Sequence, residues 1–434
     1  MSAIVLGTSF GLLIIFLSMG VYVFASLGTV ALILFWVFIP AKWHVLTGML
    51  LWPASTNWLL LSIPLFVLMG ELILRAGIAD RLYRAISYWL IGIPGGLLYS
   101  NIVACGIFSA VSGSSVATAA TIGTVAIPNF ASRGYNERLV LGSLAAGGTL
   151  GILIPPSIHL ILYGYFTGTS IGKLFMAGFM PGLVLMLLFM LLIFGASILS
   201  PNWTGIENKV SWTVRLRSLK DFVPTCVLIV IVLGSIYRGV ATPTEAAGYG
   251  VTGAFLLGLC YRSVNYRMLS EAVTSTIRTS SFILMIVIAG NLFNYALVIL
   301  DVPQQIASAV GGLGLSQWVL LVVIILLYIF LGMFMESFTI VVTTVPMLAP
   351  LLFATGKDPV LLGVLFVILL EMALITPPVG LNLYVIHGLR QTRGSINDVI
   401  VGALPFVLCM LAMIGILTLF PQIALWLPQT MFGS

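Results

Sequence analysis

Apolar stretches of around twenty residues recur along almost the whole chain, separated by short polar joints that carry most of the charged side chains. A helix needs roughly that length to cross a hydrocarbon layer about 30 Å thick, so the pattern predicts an all-α polytopic membrane protein. Spans are expected near 3–20, 21–39, 58–76, 137–166, 172–199, 221–238, 243–261, 281–300, 359–389 and 397–420. Two further apolar stretches, 97–130 and 316–354, turn polar at their centres and are read as re-entrant helical hairpins. The first 39 residues contain no Lys, Arg, Asp or Glu and run too long for the apolar core of a cleaved leader, so two retained spans are expected there. The longest polar connections, 201–220 and 262–280, are too short to bury a core of their own.

The pattern also repeats. Pro155-Pro156 and Pro377-Pro378 each lie 27 residues after another proline in an apolar stretch, Pro128 and Pro350, and the two sets are related by a shift of 222. The same shift places Ser115 on Ser337, Thr121 on Thr343, Gly134 on Gly356, and Ser112-Gly113-Ser114-Ser115 on Phe334-Met335-Glu336-Ser337. With two residues of slippage, at a shift of 220, Gly70-Glu71-Leu72 falls on Gly290-Asn291-Leu292. The expected organisation is therefore N-terminal scaffold spans over 1–57, a first repeat over 58–199, linking spans and cytoplasmic loops over 200–280, and a second repeat over 281–434. Each repeat holds a hairpin (97–130, 316–354) and a helix broken by a proline pair (137–166, 359–389).

Composition agrees with a bilayer as the solvent, since 60% of residues are hydrophobic and 7% charged. The net charge of +6 suggests no nucleic-acid partner once Lys and Arg are placed by the rule that they gather on the cytoplasmic side. With both termini outside and both hairpins re-entrant, fourteen basic residues, among them Arg75, Arg81, Arg138, Lys209 and Arg390, face inward. Lys42, Lys173, Arg238 and Lys357 remain outside. The two hairpins then open to opposite sides, as inverted-topology repeats require.

Proline removes a backbone donor and clashes with the preceding turn, so each proline pair should unwind its helix. Unwound backbone survives at membrane depth only against protein, a water-filled cavity or an ion. The half-helices starting at Pro156 and Pro378 offer N-terminal amides to an anion, and the preceding carbonyls suit a cation, so the build fits an anionic solute carried with Na⁺. Gly147, Gly148 and Gly151 would let another backbone approach the first break. Ser114, Ser115 and Ser337 stand out at the hairpin tips, whereas Thr121 and Thr343 are read as packing residues. An ionised group in the bilayer needs a partner, which singles out Glu336 at the second tip. Glu371 is either a second ion-linked carboxylate or paired with a neighbouring donor, and Glu71 is read equally as half of a helix-face pair with Arg75 or as a functional acid. His44, His159 and His387 form no zinc motif, and a phosphate-cradling loop is missing, so neither an enzyme nor an ATP-driven pump is expected.

GGTLGILIPPSIHLILYG at 147–164, LGMFMES at 331–337 and ITPPVGLNLYV at 375–385 resemble the large membrane subunit of the tripartite ATP-independent periplasmic (TRAP) transporters, and the resemblance runs through nearly the whole chain. It implies an elevator-type transport domain of hairpins and broken helices moving against a scaffold of the other spans. It further implies multi-pass placement in a bacterial inner membrane and Na⁺-driven uptake of an organic acid. A small four-helix membrane subunit and a periplasmic substrate-binding protein would be the partners. Carried over, one Na⁺ site would use Ser112, Ser114 and Ser115 with backbone from Gly148 to Gly151, and a second would use Glu336, Ser337 and Thr376. Pro156, Ser157, Pro378 and Asn382 would face the solute. The chain departs from the family at His159, where a proline is expected, which is either neutral or a means of tuning substrate choice or pH response. It departs again at Glu336, where the family often carries the shorter aspartate. A stand-alone Na⁺/dicarboxylate symporter is the nearer alternative and a passive anion channel the more distant one.

Overall fold

A backbone in hydrocarbon must satisfy its own hydrogen bonds within each segment, and the chain is helical throughout, with no strand among the described residues. The computed structural model describes residues 2–39, 43–131, 133–200, 203, 205, 210–314 and 316–432. Lys42 and Lys209, which enter the charge count above, lie outside them.

The N-terminal helices α1 (Ser2–Ser18), α2 (Val23–Phe38) and α3 (Trp43–Ser55) precede the first repeat. That repeat consists of α4 (Ser62–Arg75), α5 (Ile78–Leu90), α6 (Gly96–Ser112), α7 (Ser115–Ala131), α8 (Glu137–Thr149), α9 (Ile158–Thr167) and α10 (Ile171–Leu199). Helices α11 (Trp212–Tyr237) and α12 (Pro243–Cys260) link it to the second. There the long α13 (Tyr266–Ile299) is followed by α14 (Val302–Gly312), α15 (Gln317–Gly332), α16 (Ser337–Phe353), α17 (Pro359–Leu374), α18 (Leu381–Leu389) and α19 (Ile396–Leu419), and α20 (Gln422–Phe432) closes the chain. The element order from α4 to α10 thus recurs from the second half of α13 to α19. Five of the described helices are long and apolar enough, taken singly, to cross a membrane: the Trp58–Arg75, Ile171–Leu199, Trp212–Tyr237, Tyr266–Ile299 and Ile396–Leu419 segments.

In both repeats two helices of 16 or 17 residues are joined by a tight turn, at Gly113-Ser114 between α6 and α7 and over 333–336 between α15 and α16. Gly113 takes a φ of +60°, which an L side chain rarely tolerates. Both proline pairs interrupt helices: α8 gives way to a 3₁₀ turn at Leu150–Ile152 before α9 resumes at Ile158, and α17 stops at Leu374 before α18 starts at Leu381. The Pro155-Pro156 and Pro377-Pro378 peptide bonds are both cis.

Two differences from the hydropathy reading have a physical cause. Most of the expected polar connections are helical, with α11 beginning at Trp212 and α13 at Tyr266. In α13 the residues Met268, Ala272, Thr276 and Ser280 are buried at intervals of four, so one narrow stripe holds an otherwise polar segment in the helix. Short α5 and α14 also occupy the joints after α4 and α13, where α5 buries Ile78, Leu82, Tyr83 and Ile86 and turns Arg84 outward.

Burial separates an inner layer from an outer one. Every residue of α17 from Val360 to Leu374 is buried, as is α8 from Leu139 to Thr149. By contrast α10 exposes Leu187, Leu191 and Ile198, and α11 exposes Val223, Val227 and Val230. Such apolar outer faces suit lipid, while α8, the start of α9 and α17 occupy the protein interior and α18 is only partly buried.

Candidate functional site

The first hairpin tip and the first break are in direct apposition because glycines remove the side chains that would hold them apart. A Cβ on Gly151 would lie 2.6 Å from the Ser114 carbonyl oxygen and 2.9 Å from Thr118 Oγ1, and one on Gly148 would lie 2.6 Å from Ala119 Cβ. A Cβ on Gly113 would reach within 3.0 Å of the Pro156 carbonyl. Ser112 Oγ and Thr118 Oγ1 share a hydrogen bond of 2.7 Å, and Thr118 Oγ1 donates to the Ser114 carbonyl at 2.8 Å. Ser112, Ser114, Ser115, Gly148 and Gly151 are therefore brought together around oxygen donors. Thr118 joins them without having been singled out from sequence, although its position one turn after Ser114 carries the signal. Ser157 caps α9 by accepting from the Leu160 amide at 3.3 Å, and its hydroxyl donates to the Ile152 carbonyl.

At the second tip Glu336 caps α16. Its carboxylate accepts from the Phe338 amide at 3.1 Å and from Ser337 Oγ at 3.2 Å. The Thr376 hydroxyl donates back to Met372 at 2.6 Å rather than to Glu336. Gly380 bends the second break at φ +37°, and a Cβ there would be 3.0 Å from the Thr376 carbonyl. Pro156 is buried whereas Pro378 is exposed, so the two breaks differ in accessibility.

Each tip is bonded to the broken helix of the other repeat. Asn382 Nδ2 donates to Ser115 Oγ at 2.7 Å and to the Ala145 carbonyl at 3.1 Å. His159 Nε2 lies 2.9 Å from Ser337 Oγ, and its ring stacks on Phe338 with centroids 4.4 Å apart and 13° between planes. Ser115 and Ser337 are the first residues of α7 and α16. Counted from the residues that precede α9 and α18, Ser157 and Gly380, both His159 and Asn382 come second. A cavity of about 260 Å³ touches Ser112, Ser114, Thr121, Ile158, Phe338 and Glu71, beside the first tip. The larger cavity of about 560 Å³ lies at the opposite ends of α9 and α16, near Lys173 and Asp358, and touches neither break.

Two carboxylates left open by sequence take different roles. Glu71 Oε2 accepts from Arg75 at 2.9 Å and Oε1 from Ser275 at 2.6 Å, which ties α4 to α13. Glu371 is wholly buried, and neither of its oxygens has a hydrogen-bond partner.

A helical membrane protein whose two copies of a hairpin and a broken helix converge on one polar region has the construction of a secondary transporter. The family model described as "Tripartite ATP-independent periplasmic transporter, DctM component" matches residues 10–423. The C4-dicarboxylate TRAP transporter large permease protein DctM of Pseudomonas aeruginosa is 37% identical over 380 residues, covering 87% of this chain and 88% of that protein. The sialic acid TRAP transporter large permease protein SiaM of Vibrio cholerae is 32% identical, with 87% and 88% covered. Among solved structures the Alcanivorax borkumensis YdaH transporter superposes with a TM-score of 0.66 over 89% of each chain at 15% identity, a likeness of fold. The chain belongs to the DctM family, the large membrane subunits of TRAP transporters.

Proposed function

We propose that this chain carries a carboxylate-bearing solute into the cell together with Na⁺, by an elevator-type movement of its hairpins and broken helices within the bacterial inner membrane. The observation that carries the reading is the exchange of contacts between repeats: the first tip is bonded to the second broken helix through Ser115 and Asn382, and the second tip to the first through Ser337 and His159. An element whose two halves are locked to each other moves as a body, and movement against the outer helices gives alternating access. The hairpin helices of 16 or 17 residues span about 25 Å, which supports reading them as re-entrant.

The donor set at the first tip consists of hydroxyl and carbonyl oxygens from Ser112, Ser114, Thr118 and Pro156, and hard oxygen ligands suit a hard monovalent cation. At the second tip Glu336 supplies a carboxylate beside Ser337. The ion would neutralise that carboxylate and leave the α9 and α18 N-termini free to attract the solute's negative charge. Relatives named for C4-dicarboxylates and sialic acid support a carboxylate as the common feature of the cargo. A periplasmic binding protein would deliver it, and a small membrane subunit would complete the scaffold.

Proteoliposomes containing this chain with its small membrane subunit, under an inward Na⁺ gradient, test the reading. Uptake that needs both Na⁺ and the loaded binding protein is expected. Na⁺-driven uptake without the binding protein would favour a stand-alone symporter, and flux independent of the gradient would favour a channel.

A further inference from the structure

Between Glu336 at the second hairpin tip and α9 of the first repeat there is a continuous chain of polar atoms, half-buried at Glu336 and buried at Ser337 and His159. Ser337 has one proton. Its hydroxyl lies 3.2 Å from Glu336 Oε1, which as a carboxylate oxygen accepts, and 2.9 Å from His159 Nε2. If Ser337 donates to Glu336, its remaining lone pairs face the histidine, so Nε2 must carry the hydrogen in this pair. His159 is 2% exposed and its Nδ1 has no partner, so the Ser337 bond is the polar contact that orients the ring, while the Phe338 stack fixes its plane.

The same arrangement occurs once more in the fold, with different chemistry. Asn382, 0% exposed, occupies the matching place in α18 and donates to Ser115, the serine that matches Ser337. Its Oδ1 likewise has no partner. Two buried donors at equivalent positions, each aimed at the first serine of the opposite hairpin helix, are not explained by packing of either helix alone. A proline at 159 would supply no such donor.

We propose that His159 is a positioning residue, the counterpart in the first repeat of Asn382, which by donating to Ser337 sets the hydroxyl that Glu336 accepts and thereby raises the affinity of the second tip for Na⁺. The assignment rests on the Na⁺ reading of Glu336 given above. It makes the ion site of the second repeat depend on a residue of the first, so that Na⁺ at the second tip stiffens the junction between repeats.

The test uses the purified complex with its small membrane subunit, melted over a range of NaCl with choline chloride holding the ionic strength constant. A ligand that binds the folded state raises the melting temperature with its concentration, so the half-effective Na⁺ concentration is read without a transported solute. His159→Phe keeps an aromatic stack on Phe338 and removes the donor, and it should raise that concentration on the order of five-fold, the scale of one such hydrogen bond. His159→Asn, which copies the donor of Asn382, should stay within about two-fold of the parent. In His159→Phe combined with Ser337→Ala the shift should be no larger than in Ser337→Ala alone, because both remove one linkage. Equal Na⁺ curves for the parent and His159→Phe, while Glu336→Gln weakens Na⁺, would overturn the role of His159 and leave the ion site standing. An unchanged curve in Glu336→Gln would instead remove the ion site on which the proposal depends. Should His159→Phe melt far lower while its half-effective Na⁺ concentration stays that of the parent, the residue is a packing residue and the proposal fails.

Discussion

Arg390 and Glu137 stand 253 residues apart in the chain and meet in a two-pronged ion pair, Nε to Oε1 at 2.8 Å and Nη2 to Oε2 at 2.7 Å. Arg390 Nη1 also donates to Asp398 at 3.0 Å, and Arg138 pairs with the other oxygen of Asp398 at 2.9 Å. Thr392 adds a short hydrogen bond to Glu137. The cluster clasps the start of α8 to the connection between α18 and α19, so the outer ends of both broken helices are tied together. The two carboxylates push the Arg390 guanidinium further above its ordinary value, Glu137 being the stronger influence.

Because the guanidinium uses three nitrogens in a fixed fork, a lysine cannot replace it. Arg390→Lys and Arg390→Gln should both lower the stability of the complex by about 1–3 kcal/mol, less than a wholly buried pair would lose because the Glu137 side chain is 41% exposed. Thermal melting of the detergent-solubilised complex checks this, and a lysine variant that melts with the parent would show that charge alone is enough.

A second closure is made by backbone. A Cβ on Gly142 in α8 would collide with the Gly402 carbonyl in α19, and one on Gly402 would collide with the Arg138 carbonyl. Gly142→Ala and Gly402→Ala should each destabilise by roughly 1–3 kcal/mol through overpacking. Gly415→Ala, in the same α19 but with nothing within 4 Å of its added carbon, should be neutral or slightly stabilising. Melting temperatures of the three variants decide it, and equal behaviour at all three positions would contradict the close approach of α8 and α19.

Much of this was legible before any coordinates. The shift of 222 that pairs the prolines also pairs Ser115 with Ser337, and both serines open hairpin helices. What periodicity reports is the position of a residue within its own segment, and here segments matter chiefly through their partners in the other repeat. Nothing near His159 in sequence points to Ser337, 178 residues away. The slippage of one residue past the breaks, which aligns His159 with Asn382, becomes visible only once the cap positions Ser157 and Gly380 are known. Hydropathy likewise passed over the helical start of α13, whose buried stripe includes Thr276 and Ser280 and so does not read as apolar. Arg390 enters the sequence reading only as one of the inward-facing basic residues, because its partners Glu137 and Asp398 come from other elements of the chain.

The glycine at 151 gives a direct probe of the first tip. Its missing side chain is what allows the Ser114 carbonyl to approach the break, where a Cβ would stand 2.6 Å away. Gly151→Ala should push the tip from the break and weaken Na⁺ by on the order of ten-fold, measured as the Na⁺ concentration needed for half of the thermal stabilisation. The helical circular dichroism should remain, because the surrounding helices are not otherwise altered. An unshifted Na⁺ curve would place the first ion site elsewhere.

Glu371 separates stability from function. It is fully buried in α17 with both oxygens unpartnered, and the shift of 222 lands on Thr149, whose hydroxyl instead donates to its own helix at the Ala146 carbonyl, 2.7 Å away. The alternative that Glu371 pairs with a neighbouring donor thus finds no donor. An ionisable group without a partner in an apolar interior lowers stability by a few kcal/mol if it is charged, and such residues in membrane segments default to functional roles. Glutamine preserves the shape and removes the charge. Glu371→Gln should therefore melt no lower than the parent, while Na⁺-driven uptake in proteoliposomes falls at least about ten-fold. A lower melting temperature would mean that the carboxyl group is held by structure after all, and unimpaired uptake would mean that it takes no part in the cycle.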